Sequence, residues 1–147
     1  TGVLRLLKQQ RIGPAAELSF RRRTRLRGSE ILNGEIVMSN PIYALNLFNV
    51  SNKDEYLAYS RRSAEEVQAH GGRVIALGKF RKATAGGITP RNVLILVEWA
   101  SKEAFDSYCN DPALSDLHQH RIDGTDSYIW HLFDKLEDLR PILKGES

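Results

Sequence analysis

The chain has 147 residues, which is enough for one domain with a hydrophobic core of its own. Hydrophobic residues make up 41% and charged residues 27%, a composition typical of a globular protein and not of a disordered chain. No apolar run reaches membrane-spanning length and no secretory signal opens the chain, so we predict a cytoplasmic protein without a membrane segment. The single cysteine, Cys109, cannot form an internal disulfide, which agrees with a reducing compartment.

The net charge of +3 is unevenly distributed. Residues 1–37 contain eight Lys/Arg and three Glu, a balance of +5, whereas residues 38–147 contain thirteen Lys/Arg and fifteen Asp/Glu, a balance of −2. We therefore divide the chain into a basic N-terminal arm (1–37), a domain (38–134) and a C-terminal tail (135–147). The arm has the charge to contact an acidic partner, but Phe20 is its only aromatic residue, and nucleic-acid binding is not predicted.

Met38 stands where the composition changes, and it is the only methionine in the chain. It is followed by Ser-Asn-Pro and then by a strand pattern. Our hypothesis is that Met38 is the natural start and that the arm lies upstream of it. Sequencing the N-terminus of the protein from its native host checks this, and residues found before Met38 would contradict it.

The first strand of the domain is predicted over 41–50, where both faces are largely apolar. Alternation places one set of side chains on each face: Ile42, Ala44, Asn46, Phe48 and Val50 on the first, and Tyr43, Leu45, Leu47 and Asn49 on the second. A helix follows from Ser51-Asn52, which supply capping oxygens, to about His70, where Gly71-Gly72 permit the left-handed end.

Three more strands are predicted, over 73–80, 93–99 and 125–133. A polar glycine-rich hairpin loop (81–90) joins the first two of these, and it lacks the pattern of a phosphate loop. Between the last two strands, Ser101 caps a second helix, and Pro112 begins another helical turn that carries an apolar stripe onward. In the tail, Pro141 is predicted to break any helix.

The element order is β-α-β-β-α-β, which indicates an α+β, ferredoxin-like fold: an antiparallel four-stranded sheet with two helices on one face. Helices on one face leave the other face of the sheet uncovered, yet the strands are apolar on both faces. An open apolar face of this size is unusual in a monomer, so we predict a homodimer that associates through this face.

The pattern YLAY…AHGGRVIALG…VLILVEWASKEAFDSYCNDPALSDLHQHR resembles a family of small uncharacterised bacterial domains in the dimeric α+β barrel superfamily. The resemblance covers Ile42 to about Asp134 and no part of the arm. Leu114 departs from it, because the family commonly has tyrosine at this position. The resemblance implies the fold and the dimer, and it implies no established activity.

The segment WASKEAF…LHQHR is also similar to the strand–helix segment of haem-degrading monooxygenases, which belong to the same superfamily as antibiotic-biosynthesis-type monooxygenases. The similarity implies Trp99 at the end of the strand, His118 as a haem ligand and Asn46 on the first strand, with Asn49 as the alternative to Asn46. It covers about a quarter of the domain.

Three residues are candidates for catalysis: His118, Glu98 and Trp99. His118 is either a proton carrier or haem ligand, or a histidine hydrogen-bonded at a helix end. Glu98 faces away from the helices and is either a pocket acid or half of an ion pair, with Arg73 and Arg91 as possible partners. Trp99 is either core packing or part of the site.

Five residues are candidates for binding a small molecule: Asn46, Tyr56, Tyr59, Arg121 and Tyr128. No metal site is predicted, because the four histidines are scattered and His118 and His120 point in different directions on a helix.

Three functions remain open. The first is a small-molecule-binding protein. If it is catalytic, we predict a cofactor-independent oxygenase or isomerase in which His118 or Glu98 moves a proton. The second is a haem-degrading monooxygenase with haem bound through His118. The third is a non-catalytic dimeric module whose arm contacts an acidic partner.

Overall fold

The computed structural model describes residues 24–26, 29–32, 35–37 and 40–145. Three short strands come first and pair antiparallel in chain order: β1 (Thr24–Leu26), β2 (Ser29–Leu32) and β3 (Glu35–Val37). They lie in the segment predicted as a basic arm, where the sequence analysis predicts no strand. The remainder of that segment and Met38 lie outside the described residues, so the proposed start and the contacts of the arm stay predictions.

The main sheet has four strands: β4 (Ile42–Val50), β5 (Gly72–Lys79), β6 (Val93–Trp99) and β7 (Thr125–Asp134). Their spatial order is β5-β6-β4-β7, and every neighbouring pair is antiparallel. This order and the intervening helices confirm the predicted ferredoxin-like β-α-β-β-α-β fold. The predicted strands agree with the observed ones to within one residue at each end.

Four α-helices accompany the strands in the described chain: α1 (Lys53–Ala69), α2 (Lys102–Asn110), α3 (Ser115–Gly124) and α4 (Arg140–Leu143). The side chain of Asn52 caps α1 by accepting from the amides of Asp54 and Glu55, and Ser101 caps α2 by accepting from that of Ala104. A 3-10 turn at Pro112–Leu114 joins α2 to α3. Gly71, with φ of 91°, ends α1 as predicted.

The tail corrects one prediction. Pro141 does not prevent a helix, because it stands in the first turn of α4, where its missing N–H would have no helical partner. The tail helix is short, and its apolar residues Leu139, Ile142 and Leu143 are exposed.

We call the face of the main sheet that carries Asn46, Val97 and Trp99 the inner face, and the opposite face the outer face. The hydrophobic core lies between the inner face and helices α1, α2 and α3, and it includes Trp99, Tyr108 and Leu117, each at most 1% exposed. Alternate residues of β4 and β6, such as Leu45 and Leu96, point to the outer face and are half-buried. The predicted division of side chains between the two faces is therefore confirmed.

The start of α1 is attached to the end of α3 through the backbone. The carbonyl of Gly124 accepts hydrogen bonds from the amides of Ser51 (2.9 Å) and Asn52 (3.3 Å). A Cβ added to Gly124 would lie 2.6 Å from the amide nitrogen of Tyr56, so only glycine fits here without a backbone shift.

The part of the chain that the structure describes contains no helix that is both long enough and apolar enough to cross a membrane.

Candidate functional site

A cavity of about 70 Å3 lies between the inner face and α1. Its floor is formed by side chains of all four strands of the main sheet: Asn46, Phe48, Val74, Leu77, Ile95, Val97, Trp99, Tyr128 and Trp130. Its roof is formed by α1 and one residue of α2: Tyr56, Tyr59, Ser60, Ser63, Ala64, Val67 and Tyr108. Ser63 is half-buried and Leu77 is exposed, so the mouth of the cavity lies between α1 and strand β5.

Asn46 is the polar centre of the floor, and it is 5% exposed. Its amide nitrogen donates to the carbonyls of Ala44 and Ile95, at 3.2 Å each, and its oxygen accepts from the hydroxyl of Tyr128 at 2.5 Å. All polar atoms of this side chain are therefore hydrogen-bonded within the protein, as burial requires.

A β-bulge positions Tyr128 in the floor. The pairing of β4 with β7 shifts by one residue between Leu47 and Asn49, and Ser127 opposite has φ of 54°. The side chain of Tyr128 then stacks on Phe48, with 4.9 Å between the ring centroids and 3° between the planes. Burial raises the pKa of the Tyr128 hydroxyl well above its usual value, so the group stays protonated.

Two tyrosine hydroxyls face each other in the roof. The hydroxyl oxygens of Tyr59 and Tyr108 are 3.4 Å apart, and either group can be the donor. Tyr108 is 1% exposed, and burial raises the pKa of its hydroxyl well above the usual value. Burial also raises the pKa of Tyr56. These hydroxyls can donate hydrogen bonds, but they are poor proton acceptors at neutral pH.

Two tryptophans enclose the cavity from the floor, and Phe105 on α2 lies between them. The ring of Phe105 is edge-on to Trp99 at 5.5 Å and to Trp130 at 5.2 Å. The indole nitrogens of Trp99 and Trp130 are buried and have no acceptor in the described structure. Perpendicular aromatic contacts of this kind give the site rigid apolar walls.

His118 lies beside the cavity and not on its lining. Its Nε2 is 3.0 Å from the carbonyl oxygen of Tyr108, and its Nδ1 is 2.8 Å from a guanidinium nitrogen of Arg121. Arginine can only donate, so Nδ1 accepts and Nε2–H donates, which is the neutral tautomer. Burial lowers the pKa of His118, and the nearby Arg121 cation lowers it further, in agreement with a neutral ring.

Arg121 packs its cation against the outside of the aromatic wall. Its guanidinium lies 4.5 Å from the ring centroid of Trp130 and 5.7 Å from that of Tyr128. These are distances of cation–π contacts. Arg121 therefore supports the wall and orients His118, and it is not among the lining residues.

Glu98 lies on the outer face, away from the cavity. It is 3% exposed, and its carboxylate pairs with Arg73 at 2.9 Å and with Lys135 at 2.8 Å. Burial raises the pKa of Glu98, but the hydrogen bonds from Lys135 and Arg73 outweigh burial and leave the pKa below its usual value. Arg91, the other predicted partner, instead donates to the backbone carbonyls of Ser127 and Thr89, so that pairing is wrong.

The structure brings five of the eight predicted site residues together around the cavity: Asn46, Tyr56, Tyr59, Trp99 and Tyr128. His118 and Arg121 lie behind its wall, and Glu98 lies on the other face of the sheet. Tyr108 and Trp130 also line the cavity and were not among the predicted site residues. Tyr108 carried a usable signal, because a tyrosine on a buried helical stripe needs a partner for its hydroxyl.

The cavity does not fit a haem. Both ring nitrogens of His118 are bound within the protein, so this histidine offers no free lone pair for iron. Among the described residues, no group of three or more metal-binding side chains comes together.

Comparison with known proteins places the chain among domains of this fold. A family model described as "Domain of unknown function (DUF1330)" matches residues 41–132. The crystal structure of RPA0582, a protein of unknown function from Rhodopseudomonas palustris, is similar with a TM-score of 0.62 and 23% identity, covering 67% of this chain and 85% of that chain. Its methylated form gives a TM-score of 0.60 and 22% identity, covering 67% and 83%.

SnoaB, a cofactor-independent oxygenase from Streptomyces nogalater, gives a TM-score of 0.49 and 15% identity, covering 69% of this chain and 99% of that chain. No curated protein matches the chain. At these identities the RPA0582 structures share the fold with this chain, and they carry no statement about its ligand.

Proposed function

The chain belongs to the family described as "Domain of unknown function (DUF1330)", as the resemblance over residues 42–134 predicts, and we propose that the protein binds a small, uncharged and largely apolar molecule in the inner-face cavity. One observation carries the proposal. The lining consists of aromatic and aliphatic side chains with hydroxyl, amide and indole groups, and none of its residues is a carboxylate, amine, guanidinium, imidazole or thiol.

The absence of charge on the lining determines the charge of the ligand. A charged molecule buried here would find no counter-ion, and an unpaired ion in an apolar site is very costly. An uncharged molecule gains free energy from the apolar area that it removes from water, at about 25 cal/mol per Å2. The polar groups of the lining then fix its orientation.

The same lining supports binding rather than proton-transfer catalysis. An oxygenase or isomerase that removes a proton from its substrate needs a base within hydrogen-bond reach. His118 and Glu98, the predicted proton carriers, do not line the cavity, and burial raises the pKa of the Tyr56, Tyr108 and Tyr128 hydroxyls. We therefore propose a binding protein, and a reaction would require the ligand to supply the proton acceptor.

The test combines native mass spectrometry with NMR titration. Gently purified protein is first examined for a co-purified molecule. The protein is then titrated with cyclopentanone, cyclopentane and cyclopentanecarboxylate, and amide shifts are followed along β4, β6 and α1. We expect the two uncharged probes to shift cavity residues and the carboxylate to leave them unchanged. Binding of the carboxylate alone would contradict the proposal.

A matched pair of variants checks the location. Ser63→Trp places an indole at the mouth of the cavity and is expected to abolish probe binding. Glu65→Trp, at an exposed position of the same helix, introduces the same side chain away from the cavity and is expected to bind as the parent does. Equal binding by the two variants would place the ligand elsewhere.

We also propose that the protein is a homodimer that associates through the outer face. Half-buried leucines on β4 and β6 (Leu45, Leu47, Leu94, Leu96) and Phe133 on β7, which is 50% exposed, form an apolar surface there. Glu98 is paired with Arg73 and Lys135 beside it, so two copies of this face would not bring unpaired carboxylates together. Packing against the same surface of a second subunit is the simplest way to bury this apolar surface.

Native mass spectrometry reports the subunit number directly. We expect a dimer for the parent protein and a monomer for Leu45→Lys, which places a charge at the centre of the face. Ile88→Lys, in the exposed loop between β5 and β6, is the control and is expected to remain dimeric. A parent protein that is monomeric at micromolar concentration would contradict the dimer.

A further inference from the structure

The hydroxyl pair in the cavity roof has one more donor than the protein can use. Tyr59 and Tyr108 together carry two O–H groups, and the 3.4 Å contact between their oxygens uses one of them. Whichever tyrosine donates to the other, the second O–H has no acceptor among the described residues. This spare donor lies at the cavity, because both side chains belong to its lining.

Three other polar side chains of the lining are already hydrogen-bonded within the protein. The Tyr128 hydroxyl donates to Asn46, and the Ser60 hydroxyl donates to the carbonyl of Leu57. The amide nitrogen of Asn46 donates to two backbone carbonyls. Two indole N–H groups of the floor, those of Trp99 and Trp130, also lack an acceptor among the described residues. An incoming acceptor oxygen therefore meets these groups in the floor and the spare O–H of the tyrosine pair in the roof.

We propose that the ligand carries an uncharged acceptor oxygen of the carbonyl class, which accepts the spare O–H of the Tyr59–Tyr108 pair. This inference rests on the proposed binding function and specifies the chemistry of the ligand. A carbonyl oxygen suits the site because it accepts without adding a donor of its own that would need a partner. A buried donor without an acceptor is unfavourable, so the pair selects for such an oxygen.

Either of the two hydroxyls can supply the donor for the ligand, so single and double variants are expected to behave differently. Tyr59→Phe removes one O–H and the contact between the two, so the O–H of Tyr108 becomes free. Tyr108→Phe likewise frees the O–H of Tyr59. Each single variant thus keeps one donor for the ligand, and only the double variant Tyr59→Phe/Tyr108→Phe has none.

The experiment compares cyclopentanone with methylenecyclopentane, which replaces the C=O group by C=CH2 and keeps the shape. The dissociation constant of each is measured by NMR titration for the parent, both single variants, the double variant and the outer-face control Tyr43→Phe. The variants are compared by the ratio of the two dissociation constants, cyclopentanone over methylenecyclopentane. The two probes differ in hydration, but this difference is the same for every variant and cancels when ratios are compared.

We expect the ratio to be unchanged within about twofold in both single variants and in Tyr43→Phe. In the double variant, cyclopentanone should bind about fivefold more weakly, the loss of one neutral hydrogen bond, while methylenecyclopentane binds as before. A ratio that stays constant in the double variant would overturn the assignment of the tyrosine pair as the donor and would favour another donor of the lining, such as the indole N–H of Trp99 or Trp130.

The outcomes separate this inference from the proposed function. If both probes bind the parent and the double variant equally well, the cavity binds uncharged molecules and the inference about the carbonyl is wrong. If neither probe shifts cavity residues of the parent protein, the proposed function itself fails and the inference fails with it.

Discussion

The two faces of the main sheet are formed by the same strands but differ in charge. On the inner face, Asn46 and Trp99 contribute buried neutral groups to a cavity without a charged lining residue. On the outer face, the neighbouring residue Glu98 holds a charge between two cations. The polypeptide needs only the alternation of a strand to separate these environments, because successive side chains point to opposite faces.

The comparison shows how polar groups are accommodated on each face. Burial raises the pKa of the Tyr128 hydroxyl on the inner face and that of the Tyr108 hydroxyl on α2, so both groups can act as donors in an apolar site. The outer face keeps its carboxylate ionised because Arg73 and Lys135 are close enough to offset burial. A cavity without charged lining residues and an ion cluster thus lie on opposite faces of the same sheet.

The largest expected difference between the faces is in packing. Trp99→Ala removes a side chain that is 1% exposed, and we expect it to lower the free energy of unfolding by about 4 kcal/mol. Leu96→Ala, on the outer face of the same strand, removes a half-buried side chain and should cost about 1 kcal/mol in the monomer. Urea denaturation at low protein concentration measures both. Equal losses would mean that the outer face is covered in solution.

The second comparison concerns hydroxyls. Tyr128→Phe leaves the oxygen of the buried Asn46 without its donor, and we expect a loss of about 2 kcal/mol. Tyr43→Phe on the outer face should change stability by less than about 0.5 kcal/mol. Thermal unfolding of the two variants checks this. A harmless Tyr128→Phe would indicate that a water replaces the missing donor.

The third prediction concerns the charge on the outer face. Glu98→Gln should lower stability by about 1 kcal/mol at pH 7, since Arg73 is largely exposed and can be solvated when its partner is lost. The folded-state pKa of Glu98 is lowered, so its contribution is complete above the unfolded pKa of about 4.3 and disappears as the pH falls through the folded value. Unfolding curves between pH 7 and 3 should therefore converge for parent and variant.

The smallest expected effect on stability concerns His118, which lies behind the cavity wall. The pKa of His118 is lowered in the folded state, so the unfolded chain binds the proton more readily. The contribution of neutral His118 to stability is complete above the unfolded pKa of about 6.5 and decreases as the pH falls below it. Comparing His118→Gln with the parent between pH 7.5 and 5 isolates this residue, because the other histidines are present in both. If the stability of parent and variant changed with pH in the same way, the buried neutral state of the His118 ring would be contradicted.

Much of the fold follows from local patterns in the sequence. Alternation along β4 and β6 assigns Asn46 and Trp99 to one face and Glu98 to the other, and the caps at Asn52 and Ser101 locate both helices. Those signals are local, so they need no knowledge of distant contacts. The bulge beside Phe48 involves only a few residues. Its position nevertheless depends on how β7 pairs with β4, and the strand pattern does not specify that pairing.

The site was less predictable because it depends on contacts between elements whose relative positions the helix and strand patterns do not specify. Periodicity places His118 on an inward stripe, but only the packing of α3 against α2 brings its Nε2 to the carbonyl of Tyr108 and away from the cavity. Lys135 lies just past the end of β7, and its pairing with Glu98 requires the tail to turn back beside β4. Neither arrangement has a local signature in the sequence.

The contact between Gly124 and the amide of Tyr56 gives the cavity a fixed frame. Because the roof helix is held at its first turn by backbone atoms, the start of the helix has a position that does not depend on the cavity side chains farther along it. Substitutions at the half-buried residues Ser63 and Val74 are then expected to alter the size and chemistry of the cavity while the start of the helix keeps its position. Because Trp99 and Tyr128 on the floor also contribute to stability, changes at the half-buried mouth are the ones expected to alter the cavity at the least cost to the fold.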